Sequence, residues 1–328
     1  MTGAEKSRGP SDLENCLQLD LEATRREIVD FVRHEVERFG RDGVLVGFSG
    51  GLDSSTVGFL CKEALGADRV YGLILPERDS SRRNMEDAEK IVRLLGIKYE
   101  KIDITPVLED IGVYDVMNGI PIGNRTAVEG MLGTMKRVGN LRSPFAERFG
   151  AMYAPDRKHG LMDRTAQGIS NRVHAFATAK TRVRMIELYF HAILKNFLLA
   201  GTTDLSEWRI GFYDKYGDAA SDISLLKHLY KTQIRALARH IGVPDYIIDK
   251  PSSGDLMGEG LPNETAIGMS YETLDRILCG MDRGLPDAAI VEAVGVPIAM
   301  IEIVKKAIEG NKVRESMPFA PGTGNGQV

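Results

Sequence analysis

The sequence predicts an α/β protein built on a doubly wound parallel sheet with helical additions, and three observations carry that expectation. Short strand-like stretches, the apolar 44–48 (VLVGF), 70–75 (VYGLIL) and 97–104 (IKYEKIDI), alternate with stretches of helical spacing. They are of strand length rather than helix length. The intervening helical patterns stop at Gly40, Gly96 and Gly242, the last followed by Pro244, as glycine and proline stop helices. Strand–helix–strand–helix–strand in that order is the signature of a parallel sheet with helices on both faces.

Taken in order, residues 1–14 are polar, carry Gly and Pro, and are expected to form a flexible tail. Residues 17–40 read as a helix with Leu21, Ile28, Phe31, Val32 and Val36 on one face. The first strand follows, then a helix from Ser54 to Leu65, the second strand, a helix from about Ser81 to Gly96, and the third strand. Regularity fails between 112 and 170, a stretch rich in Gly, Arg and Met that is expected to be an irregular insertion. A helix at about 171–194, a strand at 196–201 (NFLLAG), a helix at 225–242 and three helices near 270–308 complete the pattern. Residues 15–310 are thus expected to form one domain, and 311–328 a second flexible tail.

A chain of 328 residues with 43% hydrophobic and 27% charged residues has an ordinary globular composition. Its net charge of −4 gives no electrostatic reason to expect a nucleic-acid partner. Cys16, Cys61 and Cys279 are far apart, form no CxxC and are expected to be buried free thiols. No signal pattern opens the sequence and no run approaches a membrane span, so a cytoplasmic protein without a membrane partner is expected. The six histidines have no metal-ligand spacing; His174, His191 and His228 are expected to be structural or solvated on helices.

The richest chemistry lies in GFSGGLDSS, residues 47–55, where the first strand runs into a helix. Such a loop sits at the carboxyl edge of the sheet, where folds of this class bind ligands. Glycines let backbone approach a ligand closely, and the amides of a helix start favour anions. Ser49, Ser54 and Ser55 add hydroxyl donors. Together these describe a phosphate cradle, without the Gly-Lys-Ser/Thr of the Walker loop. An acid among phosphate donors repels the ligand unless a cation lies between, which makes Asp53 a candidate magnesium ligand.

The order Ser-Gly-Gly-x-Asp-Ser after a buried strand resembles the pyrophosphate loop of the ATP-pyrophosphatase (PP-loop) superfamily, with its adenine nucleotide alpha hydrolase-like fold. Later blocks resemble NAD synthetases: LILPERDSS with MEDAEKIVRLLG, the long RVRMIELYFHAILKNFLLAGTTDLSEWRIGFYDKYGDAASDI, then LYKTQIRALARHIGVP, KPSSGDL and IGMSYETLDRIL. The resemblance is to the ammonia-dependent branch, since no amidohydrolase-like segment precedes the loop. It implies a ligase that joins ammonia to deamido-NAD through an acyl-adenylate, releasing AMP and pyrophosphate. The implied cofactor is magnesium, with ATP as co-substrate and a homodimer as the assembly. A separate glutaminase is an implied partner only if glutamine feeds the reaction.

Carried over residue by residue, the resemblance assigns ATP contacts to Gly47, Phe48, Ser49, Gly50, Gly51, Leu52, Asp53, Ser54, Thr202, Lys231 and Ser253. It assigns metal ligation to Asp53 and Glu207, catalysis to Asp53 and Lys231, and deamido-NAD contacts to Arg182, Lys215, Asp222 and Lys312. The chain departs from the family pattern at Ala177–Thr178, where a Gly-Asn pair is usual, and at Asn263–Glu264, where an acidic pair is usual. Asn311–Lys312 replaces a His-Lys pair, and the stretch 112–170 is longer than its counterpart. All four touch the acceptor side, so a ligase that amidates a different carboxylate is the alternative. Because acyl adenylates are sensitive to water, 112–170 is read as a closing lid, with Arg125, Lys136, Arg137, Arg142 and Arg148 available to phosphates.

Overall fold

The structure is a computed structural model, and it describes residues 13, 15–118, 161–254 and 262–318. At its centre is a five-stranded parallel sheet: β1 (Gly43–Gly47), β2 (Val70–Ile74), β3 (Lys98–Lys101), β4 (Phe197–Gly201) and β5 (Ile223–Ser224), in the order β3-β2-β1-β4-β5. Val44 pairs with Val70 on one side and Leu198 on the other, which places β1 in the middle. Four of these strands match the strand stretches expected from the sequence, though β3 (KYEK) is mostly charged and largely exposed. The fifth is only two residues long and carries no periodicity to read.

Alternation along β1 explains the double winding. Val44 and Val46 point into a core shared with helices α1 (Leu21–Arg38), α2 (Leu52–Leu65), α3 (Arg82–Leu95) and α7 (Lys231–His240). Leu45, between them, points to the opposite core, built on α4 (Thr105–Asp110) and the long α5 (Leu161–Leu194). Successive strand side chains face opposite ways, so a strand covered on both faces must be apolar throughout. A third core joins α10 (Tyr271–Asp282), α11 (Asp287–Val294) and α12 (Ile298–Glu315) beside the sheet.

Helix ends follow local chemistry. Asp20 caps α1 by accepting from the Ala23 amide, and Ser81 caps α3 by accepting from that of Asn84. Gly96 ends α3 in the left-handed conformation. On α1, Ile28, Val32 and Val36 are buried as expected, but Phe31 is 39% exposed; Val29 takes the inward position instead.

Several expectations are corrected. Cys16 and Cys279 are joined in a disulfide, leaving Cys61 as the buried free thiol. The partners are 263 residues apart, and Leu13 beside them is buried against Gly280 and Ile290 of the helical core. Helix α5 starts at Leu161 rather than near 171. The helix expected at 225–242 begins at Lys231, because Leu225, Leu226 and Leu229 fill the core from a turn that also holds His228. Residues 311–315, expected to begin the second tail, instead continue α12, which runs to Glu315 with Asn311 and Arg314 buried; residues 319–328 lie outside the described residues. The proposed lid, including Arg125 and Lys136, lies mostly outside the described residues, as do residues 1–12. No described helix is long and apolar enough to cross a membrane.

Candidate active site

The order in which strands are added reverses at β1, with β2 and β3 on one side and β4 and β5 on the other, all parallel. A crevice at the carboxyl ends of β1 and β4 is the consequence. It holds a cavity of 380 Å³. Gly47, Phe48, Ser49, Gly51, Leu52 and Asp53 line it from β1 and the start of α2; Thr202 and Glu207 line it from the β4 side, and Ser253 from the segment before α9 (Asn263–Ile267).

The loop is shaped by its own side chains. The Ser54 hydroxyl accepts from the Ser49 amide at 3.3 Å, and Ser55 Oγ donates to the Gly51 carbonyl at 2.7 Å. Gly50 has φ +73°, and a Cβ there would lie 2.1 Å from the Asn84 carbonyl oxygen, so both conformation and space demand glycine. Ser54 therefore braces the loop from beneath, and Gly50 is packed against α3; neither lines the cavity.

Below the loop lies a charged cluster. Lys231 is fully buried, and its ammonium is 2.8 Å from Asp53 Oδ2, 2.6 Å from Asp204 Oδ2 and 3.1 Å from Glu207 Oε1. Oxygens of the three acids lie within 4.8 Å of one another. Asp204 caps α6 (Leu205–Ile210) by accepting from the Glu207 amide at 2.7 Å, which is what turns Glu207 inward. Glu207 Oε1 also accepts from the Tyr271 hydroxyl at 2.9 Å. Burial, and then the charge of Asp204, raise the pKa of Glu207; burial raises that of Asp204. Burial opposes the charge on Lys231, but Asp204, Asp53 and Glu207 hold its pKa well above the ordinary lysine value.

One ammonium against three carboxylates leaves a negative excess, and Asp53 Oδ1 is buried with no hydrogen-bond partner among the described residues. An all-oxygen donor set with an orphaned oxygen suits a hard divalent cation. Asp53 and Glu207 are thus brought together as the sequence anticipates.

The sequence reading missed Asp204, whose only signal is a cap-like Asp three residues before Glu207. It also missed Tyr271, Asp214, Asp218 and Lys250. Asp214 accepts from the Thr181 hydroxyl at 2.8 Å and, through its amide, donates to Asp218 Oδ1 at 2.6 Å. Packing around its carboxyl, and then the charge of Asp214, push the Asp218 pKa up, although the residue as a whole is exposed. His174, on α5, lines the cavity wall.

The four residues assigned to deamido-NAD are not in this cavity. Arg182 is exposed on α5, and Asp222 accepts from the Leu199 amide at 2.8 Å beside β4. Lys215 donates to the carbonyls of Arg314 and Met317 at 2.5 and 2.7 Å, and Lys312 is exposed on α12. Lys215 instead lines a shallow outer concavity with Trp208 and Tyr216, which shares Tyr213 and Ala220 with the main cavity.

A parallel sheet whose strand order reverses at β1, a glycine–serine loop at its carboxyl edge and a buried cation–carboxylate cluster define an α/β enzyme class that works on nucleotides. The family model for NAD synthase matches residues 24–120 and 152–318. An NH3-dependent NAD+ synthetase from Thermotoga neapolitana is 36% identical over 297 residues, covering 90% of this chain and 95% of the relative. One from Methanocaldococcus jannaschii is 34% identical over 301 residues, covering 92% and 97%. The chain belongs to the NAD synthase family, whose members use ATP. Among solved structures, an NH3-dependent NAD synthetase from Campylobacter jejuni superposes with a TM-score of 0.63 at 23% identity, covering 92% of this chain and 99% of the other. An NMN synthetase from Francisella tularensis gives 0.66 at 21%, covering 93% and 100%; both share the fold.

Proposed function

We propose that the protein is an ammonia-dependent NAD synthetase that amidates the nicotinate carboxylate of deamido-NAD. The observation that carries this reading is the cavity where Asp53 and Glu207 meet the glycine–serine loop, with Lys231 buried behind them rather than on the cavity wall, in a chain that matches NH3-dependent NAD+ synthetases over nine-tenths of its length. A carboxylate is a poor acyl donor, so its oxygen first bonds to the α-phosphorus of ATP while the bond to pyrophosphate breaks. Ammonia then bonds to the acyl carbon as the bond to AMP breaks, and its surplus proton leaves.

Transfer of this kind asks the protein mainly for positioning and charge neutralisation. The glycine–serine loop presents its amides and hydroxyls to phosphate, and Lys231 holds the carboxylates in register. Asp53 and Glu207, with Asp204 behind them, would hold magnesium, which neutralises the leaving pyrophosphate. The outer concavity at Lys215 gives the far end of a dinucleotide a place to lie beyond Tyr213 and Ala220.

The assembly is a homodimer in this reading. On α5, Ile186, Phe190, Ile193 and Leu194 are each at least 60% exposed and share one face at helical spacing. Such a stripe, lying beside Arg182, suits a two-fold interface that would complete the acceptor site.

Mass spectrometry of the products from ATP, magnesium, ammonium and deamido-NAD tests the proposal: equal yields of NAD, AMP and pyrophosphate are expected. The second reading, a ligase for another carboxylate, is favoured by the placement of all four acceptor residues outside the main cavity. Pyrophosphate release with a panel of acids, and none with deamido-NAD, would select it.

A further inference from the structure

Lys250 opens the KPSSG segment and reaches back to the phosphate loop. Its ammonium donates to the Gly50 carbonyl at 2.6 Å, to Asn84 Oδ1 at 3.0 Å and to Asp87 Oδ2 at 2.9 Å. An ammonium has three donors, and here all three are engaged at once. The side chain is 11% exposed and Asp87 only 4%, so these are sheltered, charge-assisted bonds. They tie together three segments distant in sequence: the loop after β1, the first turns of α3, and the segment that carries Ser253.

The bond to Gly50 matters most. Gly50 is left-handed and already lies against the Asn84 backbone. Fixing its carbonyl toward Lys250 fixes the peptide plane that leads to Gly51, the residue at the start of α2, and with it the direction of the cradle. Lys250 also lines the cavity, so its charge stands beside the place where phosphate would sit.

We propose that Lys250 is a positioning residue for the phosphate loop, which pins the Gly50 peptide to α3 and carries Ser253 to the same ligand. This rests on reading the cavity as the ATP site. The tests are calorimetric titration with an α,β-methylene ATP analogue in magnesium, KM for each substrate, and thermal melting. Lys250→Met is expected to weaken the analogue by at least about tenfold, as loss of a charge-assisted hydrogen bond would, and to raise KM for ATP in step. KM for deamido-NAD should stay within about twofold. Asn84→Ala, which keeps two of the three bonds, should weaken the analogue about threefold and decides the matter if Lys250→Met does not fold. Lys250→Arg keeps the charge but not three convergent donors, so it should recover only part of the affinity. Wild-type analogue affinity in Lys250→Met, with or without a lower melting temperature, overturns the inference, and so does full recovery by Lys250→Arg. If the wild-type protein does not bind the analogue, the ATP assignment itself fails.

Discussion

The two ends of the site are built differently. At the phosphate end, Lys231 is buried, contacts three acids from α2, the α6 cap and α6 itself, and has no freedom to move without breaking ion pairs. At the proposed acceptor end, Arg182 and Lys312 are exposed, and Lys215 is spent on carbonyls at the end of α12. In the proposed reading, the contrast separates chemistry that one chain completes alone from recognition that would draw on a neighbouring surface. Charge must be preorganised where bonds break, whereas a long substrate can be held by weaker contacts spread over an open face.

The strongest way to break this comparison is at Asp53. Asp53→Asn keeps the shape but removes a metal-ligand charge, and turnover is expected to fall by about 10²–10³-fold with the circular dichroism spectrum unchanged. Chelation of magnesium should abolish wild-type activity reversibly. Near-normal turnover in either case would remove the argument from the acidic cluster.

Lys231→Met probes the same end in a second currency. It leaves three buried or half-buried acids without their counter-charge, so stability should drop by about 3–5 kcal/mol in denaturant unfolding, along with turnover. Added magnesium should restore part of that loss, since a cation bound to the native cluster stabilises it. An unchanged midpoint would show that the cluster does not hold the fold.

At the other end the expected effects are smaller and selective. Lys215→Ala should raise KM for deamido-NAD about tenfold while leaving KM for ATP alone. Equal effects on both substrates would mean that the two ends are not separate. Phe190→Glu on the exposed face of α5 should shift a dimer toward monomer in analytical ultracentrifugation, and acceptor affinity should fall with it. A fully active monomer would take the interface out of the site. Ammonium should support turnover and glutamine alone should not; glutamine-driven activity of the purified protein would contradict the nitrogen source.

How much of this was legible in the sequence follows the same division. Strands β1, β2 and β4 announce themselves as apolar runs and β3 as a short stretch of strand length, and Ser81, Gly96 and Gly40 mark helix ends because capping acts within a few residues. The glycine–serine loop is equally local: its hydroxyl bonds span no more than five positions. Asp53 and Glu207 could be paired by motif. The short β5, the turn before α7 and the longer α12 could not be read, since propensity there is overridden by packing of Leu225, Leu226 and Arg314 into the interior.

What the sequence by itself determined is the α/β order, the glycine–serine loop after β1 and the pairing of Asp53 with Glu207, because each rests on interactions between near neighbours or on a short motif. What only the tertiary structure decided is how distant residues meet. It joined Cys16 to Cys279, placed Asp204 beside Lys231, closed Lys250 over Gly50 and turned Lys215 away from the main cavity. Contacts between residues far apart along the chain, from 27 positions for Asp204 and Lys231 to 263 for Cys16 and Cys279, carry no periodicity; they exist only once burial has chosen which faces come together.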